Sequence, residues 1–177
     1  MTTSLDERRE SIAGRVSGKI ALVTGGASGI GRATAILLAE QGARVAVADL
    51  SEADGQEVIR AIESKGGEAF FSRMDVTSEA SVQNTVAQII EKWRCLDVLV
   101  NNAGVAGIQK PIHEVTAKEY DSVMDVNVRG VFHCTKHSIL AMREGGSIIN
   151  LSSIFGLVGG ASVESPYSVY QASKGAV

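Results

Sequence analysis

Apolar residues in this chain fall into two alternating patterns. Short unbroken runs, Ile20-Ala21-Leu22-Val23 after Lys19 and Val45-Ala46-Val47-Ala48 after Arg44, have the length and β-branched content of strands buried on both faces. Between them, apolar residues recur at the spacing of a helix face. Ile30, Ala33, Thr34, Leu37 and Leu38 form such a row directly after the first run. Glu52 to Lys65 reads as an amphipathic helix stopped by Gly66-Gly67, and Glu68 to Met74 as a third strand followed by Asp75-Val76. Ser78 is a good helix N-cap, with Glu79 in the first turn and Val82, Val86, Ile89, Ile90 and Trp93 as the buried stripe. Leu96 to Asn101 is a fourth strand, and a loop with Gly104, Gly107 and Pro111 follows. Thr116 caps a long helix running to about Met142, with Tyr120, Val123, Met124, Val128, Val131 and Phe132 facing inward. Gly145-Gly146 breaks it, Ser147 to Ser152 makes a fifth strand, and Tyr167 to Val177 begins another helix.

Strict alternation of strand and helix predicts a parallel sheet with right-handed crossovers and helices on both faces. Residues 18–177 form one such domain, and the polar, mixed-charge residues 1–17 form a peripheral N-terminal arm. Ligands of these sheets bind beyond the carboxyl ends of the strands. Those ends carry Thr24 with its glycines, Asp49, Asp75, Asn101-Asn102 and Ser152-Ser153.

The stretch Thr24-Gly25-Gly26-Ala27-Ser28-Gly29-Ile30-Gly31 lies between the first strand and a helix start. Glycine there lets the turn adopt positive φ and lets a ligand approach the backbone. The helix behind it offers free N–H groups and a partial positive charge, which suit a diphosphate. Asp49 ends the second strand, where a carboxylate can accept from ribose hydroxyls. A glycine trio alone is also met in ordinary tight turns. Here strand, glycines, helix, second strand and terminal acid stand in order.

Composition narrows the reading. The chain has 177 residues, 45% hydrophobic and 5% aromatic, with a formal net charge of -3, enough for one α/β core. No basic stripe with interleaved aromatics points to nucleic acid. No apolar run is long enough for a bilayer, and the start lacks the apolar middle of a signal peptide, so the expected setting is cytoplasmic. Cys95 and Cys134 are far apart and lack CxxC spacing, which favours reduced thiols over a disulfide or metal site. His113, His133 and His137 make no metal set, although His133 and His137 share a helix face. Asn150-Leu151-Ser152 fits a glycosylation acceptor but falls in a buried strand.

Candidate chemistry sits at the far end. Tyr170 and Lys174 share one face of the last helix, and an ammonium beside a phenol favours the phenolate, making Tyr170 a candidate general acid/base. An exposed Tyr and Lys on an amphipathic helix is the plain alternative. A strand-end hydroxyl such as Ser153 can donate to a substrate oxygen, and only one of Ser152 and Ser153 can face the cleft. Asn127, unfavourable within a helix, is either a packing feature or a polar group placed for water.

Together these segments resemble the short-chain dehydrogenase/reductase family. Thr24 to Gly31 matches its TGxxxGxG loop, Asn101-Asn102-Ala103-Gly104 its NNAG segment, and Asp75-Val76 the pair that meets the adenine. Asn127, Ser153, Tyr170 and Lys174 match its Asn-Ser-Tyr-Lys tetrad. The resemblance implies a Rossmann-type doubly wound sheet with strand order 3-2-1-4-5, an NAD cofactor, and hydride transfer to or from a secondary alcohol or ketone. It implies that Gly25, Ser28, Gly29, Ile30, Gly31, Asp49, Leu50, Asp75, Val76, Asn102, Ala103 and Gly104, with Tyr170 and Lys174, bind the cofactor. Tyr170 would exchange the proton, Lys174 would lower its pKa and hold the nicotinamide ribose, and Ser153 would position the substrate oxygen. Asn127 would hold a water linking Lys174 to solvent, and Asn101 would stabilise the sheet. Asp49, which would repel a 2′-phosphate, and the lack of a basic residue at Gly26 or Ala27 favour NAD over NADP. The family's last strands and its substrate-covering segment do not follow Lys174, so a truncated member with uncertain activity is expected. The stretch Ala161 to Pro166 is longer than usual. Tetramers are expected for a full-length parent. The rivals are an NADPH-dependent acyl-chain ketoreductase and a non-catalytic dinucleotide-binding fragment.

Overall fold

A computed structural model describes residues 14–142, 145–158 and 167–177. Most of the expected N-terminal arm and the Ala161 to Pro166 stretch lie outside the described residues. The elements are β1 (Ile20–Thr24), α1 (Gly29–Glu40), β2 (Arg44–Asp49), α2 (Glu52–Glu63), β3 (Ala69–Arg73), α3 (Glu79–Trp93), β4 (Val98–Asn101), α4 (Ala117–Met124), α5 (Gly130–Ile139), β5 (Ser147–Asn150) and α6 (Ser168–Gly175). The strands pair in parallel in the order β3-β2-β1-β4-β5, with Ala21 opposite both Val45 and Val98. This is the doubly wound arrangement expected of the alternating pattern.

Strand alternation divides the core. Leu22, Ala46 and Leu99 face Val82, Ile89, Trp93 and Cys134 of α3 and α5. Val23, Val45, Val47 and Val100 face Ala35, Val58 and Ile62 of α1 and α2. Local signals start the helices as expected. Ser78 accepts from Ser81 N–H, and Thr116 with Glu119 forms a reciprocal capping box.

The structure corrects four expectations. The fifth strand, expected to be buried and to reach Ser152, ends at Asn150 and is largely exposed, because it lies at the edge of the sheet. The other three concern helices. On α1 the buried row is Gly31, Ala35 and Ala39, whereas Ile30 and Leu37 are exposed. Small side chains let this helix lie close against the sheet, so its larger residues turn outward. Tyr120 and Phe132, expected to face inward, are also exposed. Finally, the long helix is not uniform. Between α4 and α5, Asp125–Arg129 forms a π-turn, and α5 ends at Ile139 rather than near Met142. The wider turn brings Asn127 to full burial.

Gly130, at the start of α5, marks a close approach. A Cβ there would lie 2.7 Å from Val76 Cγ2 and 3.0 Å from its Cβ, and Val76 is itself buried. Among the described residues no helix is long and apolar enough to cross a membrane.

Gly130→Ala should therefore lower the unfolding free energy by about 1–3 kcal/mol through overpacking. That sign opposes the ~1 kcal/mol that alanine gains over glycine in an unconstrained helix. Urea unfolding of both proteins reads the sign.

Candidate active site

The turn after β1 is shaped by glycines with different tasks. Gly25 and Gly29 have φ of 61° and 51°, in the left-handed region that other residues avoid. A Cβ on Gly31 would lie 2.0 Å from the Gly25 carbonyl oxygen, whereas the space beside Gly29 is open. Ser28 occupies the N-cap of α1 without a side-chain cap bond, and the first turn holds no acidic residue. The leading N–H groups thus face the turn with no carboxylate competing for them.

Two side chains fasten this turn to the end of β4. Thr24 Oγ1 accepts from Asn102 N–H (3.1 Å) and Ala103 N–H (3.0 Å) and donates to the Val100 carbonyl (3.3 Å). Asn102 Nδ2 donates to the carbonyls of Thr24 (2.9 Å) and Gly25 (3.0 Å). Its neighbour Asn101 points the other way and donates to Asn150 Oδ1 (2.9 Å) and Thr135 Oγ1 (3.2 Å), joining β4 to β5 and α5. That is the sheet-bracing role the sequence suggested.

At the end of β2, Asp49 is half-buried and accepts from Ala27 N–H (3.0 Å) and Ser51 N–H (3.1 Å). Its carboxylate thus closes the far side of the glycine turn. Asp75, after β3, accepts from the N–H (2.9 Å) and hydroxyl (2.8 Å) of Thr77, so one of its oxygens shapes its own turn. A cavity of about 410 Å³ opens between these groups. Gly25, Ser28, Gly29, Ile30, Asp49, Leu50, Asp75, Val76, Asn102, Ala103 and Gly104 line it, together with Met74, Val105 and Val126. Every expected cofactor residue outside α6 lines it except Gly31, which packs beneath. A larger groove of about 630 Å³ runs between α3 and α5. Its exposed lining is mostly apolar, whereas the smaller cavity is more polar and more enclosed and lies at the carboxyl ends of the strands, which makes the smaller cavity the better ligand site.

Two of the expected catalytic residues, Asn127 and Lys174, reach the cavity wall at Val105 and Gly104. Lys174 is buried, and its Nζ donates to the Leu151 carbonyl at 2.6 Å. Burial holds its ammonium below the ordinary lysine range. The same Nζ lies 5.9 Å from the Tyr170 ring centre and would be 3.5 Å from a Cβ on Gly104. Asn127 Oδ1 accepts from Val105 N–H (2.8 Å), and its Nδ2 donates to the Val105 carbonyl (2.9 Å) and to Ser173 Oγ (2.9 Å). Both N–H donors of that amide are therefore engaged by protein, and Oδ1, which already accepts from Val105 N–H, has one lone pair left for a further donor. Ser152 Oγ donates to the Lys174 carbonyl (2.6 Å), and Ser153 Oγ accepts from Phe155 N–H (3.2 Å). Among the described residues no hydrogen bond joins Ser153 to Tyr170. Phe155, Tyr167 and Tyr170 form an aromatic row with ring centres 6.3 Å apart at each step.

Sequence reasoning missed Met74, Val105, Val126, Ser173 and Gly156. Gly156 is required because a Cβ there would lie 2.4 Å from the Lys174 carbonyl oxygen. Ser173 carried a usable signal: a buried Asn127 needs partners, and a serine beside Lys174 can supply one. Elsewhere, burial pushes the Cys134 thiol up to about 12, so it is no nucleophile. His133 Nδ1 bonds the Val76 carbonyl (3.1 Å) and His137 pairs with Glu79 (2.8 Å), both packing roles. No cluster of metal-ligating side chains occurs among the described residues.

Residues 19–177 match the short chain dehydrogenase family. The chain is 42% identical over 166 residues to a cyclopentanol dehydrogenase of Comamonas sp., covering 93% of this chain and 64% of that protein. It is 41% identical over 167 residues to a 3beta-hydroxysteroid dehydrogenase of Mediterraneibacter gnavus, covering 94% and 59%. Its fold superposes on NAD+-bound xylitol dehydrogenase with a TM-score of 0.86 and 34% identity, covering 92% and 62%. The chain thus spans about 60% of the length of the proteins it resembles.

Thr24→Val keeps the shape of the β1 end but deprives Ala103 N–H of its acceptor, whereas Asn102 N–H keeps the Val100 carbonyl at 3.1 Å. A loss of about 1–3 kcal/mol is expected from one unsatisfied donor. Chemical denaturation should show that loss, and titration with ADP should show weaker binding.

Proposed function

Because this chain belongs to the short-chain dehydrogenase family, we propose that it carries the cofactor site and acid–base pair of an NAD-dependent oxidoreductase acting on a secondary alcohol or ketone. One observation carries this reading: the buried Lys174 ammonium lies beside Gly104, where the wall of the cavity meets the helix that bears Tyr170. A nucleotide held in the cavity would have its reactive end beside that pair.

The residues present fit a dinucleotide. The open space at Gly29 and the uncapped first turn of α1 suit a diphosphate. The Asp49 carboxylate suits a ribose diol, and a 2′-phosphate there would meet like charge. Ile30, Leu50 and Val76 offer apolar surface for the adenine. When bound, the nicotinamide exchanges the hydride.

The chain's own residues do the rest. The Tyr170 hydroxyl gives its proton to the carbonyl oxygen in reduction and takes it back in oxidation. The Lys174 charge offsets the negative charge that develops on the phenol oxygen. Ser153 is the hydroxyl set to donate to the substrate oxygen, and Asn127 Oδ1 keeps acceptor capacity for a water on the Lys174 side. The aromatic row and the exposed Ile154 and Leu157 favour an uncharged, apolar substrate. A cyclic secondary alcohol fits that surface, and the names of two relatives agree with it.

In the complete protein, NADH should bind more tightly than NADPH, measured by nicotinamide fluorescence, and Asp49→Asn should narrow that gap. Preference for NADPH would overturn the cofactor assignment. Tyr170→Phe should lower cyclohexanol oxidation by about 100- to 10,000-fold while sparing NADH affinity. Turnover that survives this change would overturn the acid–base role.

A further inference from the structure

We infer that Ser173 is a positioning residue for the reaction at Tyr170. Its hydroxyl ties the helix bearing Tyr170 and Lys174 to Asn127, and through Asn127 to the loop that walls the cofactor cavity. The inference rests on the acid–base reading above.

Ser173 is fully buried. Its hydroxyl donates to the Tyr170 carbonyl at 2.7 Å, a common habit of a helical serine. What is added is the second bond, accepted from Asn127 Nδ2 at 2.9 Å. Asn127 grips both backbone groups of Val105, a residue of the cavity wall. Cavity wall, π-turn and α6 are therefore joined by one amide and one hydroxyl.

The need for such a tie follows from the helix. α6 has eight residues, too few to persist on helix propensity alone. Ser152 and Lys174 attach it to the segment after β5 through the Lys174 and Leu151 carbonyls. Among the described residues, the Asn127–Ser173 bond is the one hydrogen bond that attaches it to the β4 side, where the cofactor would lie. Without it, α6 keeps its hold on the segment after β5 and its packing on α4 and the π-turn, but loses the one hydrogen bond on that side that helps set Tyr170 and Lys174 against Gly104. A buried Asn127 N–H would also lose its partner.

Ser173→Ala and Ser173→Cys in the complete protein test this. The thiol fills the hydroxyl's place with a slightly larger atom but is a weak acceptor, so the cysteine variant decides the matter should the alanine variant fail to fold. For both, kcat with cyclohexanol should fall about 10- to 100-fold, as misplacement of a reacting group does. KM and NADH affinity should stay within about 3-fold, the mark of lost transition-state alignment rather than lost binding. Hydrogen exchange in α6 should quicken by about tenfold, with β1 and α1 unchanged. Unchanged exchange in α6 would overturn the inference. So would faster exchange with native kcat, or a kcat loss matched by an equal loss of NADH affinity. Native protein that oxidises no alcohol would sink the acid–base reading itself, and the positioning role with it. Native turnover with indifferent Ser173 variants would sink the positioning role alone.

Discussion

One threonine hydroxyl and one carboxamide fix the ends of β1 and β4 against each other. Every group able to hold a diphosphate depends on that junction. The two strands run side by side and both stop at the same rim of the sheet, so their outgoing chains must part without leaving buried N–H groups bare. Thr24 resolves this by accepting two of them, and Asn102 returns the connection to the carbonyls of Thr24 and Gly25. Gly31 then rests almost on the Gly25 carbonyl. The position of the α1 N-terminus, and the aim of its free N–H groups, is thus inherited from the junction without slack.

The two halves of the site are built by different means. The half toward Asp49 is made largely of backbone and of side chains satisfied within their own turns, such as Asp75 with Thr77. Its shape comes from positive-φ glycines and from contacts that admit no Cβ. The half toward Tyr170 is made of long side chains on a short helix, held by hydrogen bonds to the segment after β5 and to the π-turn. Gly104 is where they meet, since a Cβ there would lie 3.3 Å from Asn127 Oδ1 and 3.5 Å from Lys174 Nζ. A side chain there would touch Lys174 Nζ at ordinary contact distance and crowd Asn127 Oδ1 by a few tenths of an ångström.

How much of this could be read from the chain differs from residue to residue. Ser78 and Thr116 announced their helices because capping is local chemistry. The parallel sheet with helices on both faces followed from alternation, because crossovers leave few choices, whereas the strand order came from the family resemblance. The outward turn of Ile30 and Leu37 could not be read from periodicity. An apolar row usually means a buried face, but here Gly31, Ala35 and Ala39 make the close contact and two large apolar residues are left over. The π-turn was equally hidden, as one wide turn leaves the helical spacing nearly intact on either side. Asn127 was nonetheless visible as a misfit, and its burial against Val105 and Ser173 accounts for the misfit. Gly130 and Gly156 were silent, because what excludes a side chain at each is a segment distant in sequence.

Lys174 shows what the fold gives up for such a site. A lysine at this depth is ordinarily paired with a carboxylate or left with its head in water. Among the described residues no carboxylate pairs with it, and a single carbonyl, that of Leu151, receives its ammonium. Its folded pKa lies below the 10.5 of an unburied lysine, so the folded state binds this proton less readily than the unfolded chain. The penalty therefore holds while both states are charged, and it fades as pH rises from the folded value toward the unfolded one. Stability alone would favour an apolar residue there. A buried cation with no carboxylate partner among the described residues, set beside Gly104 and near the Tyr170 ring, is the charge that the proposed reaction would use. The strain against stability and the proposed chemistry thus point to the same atom.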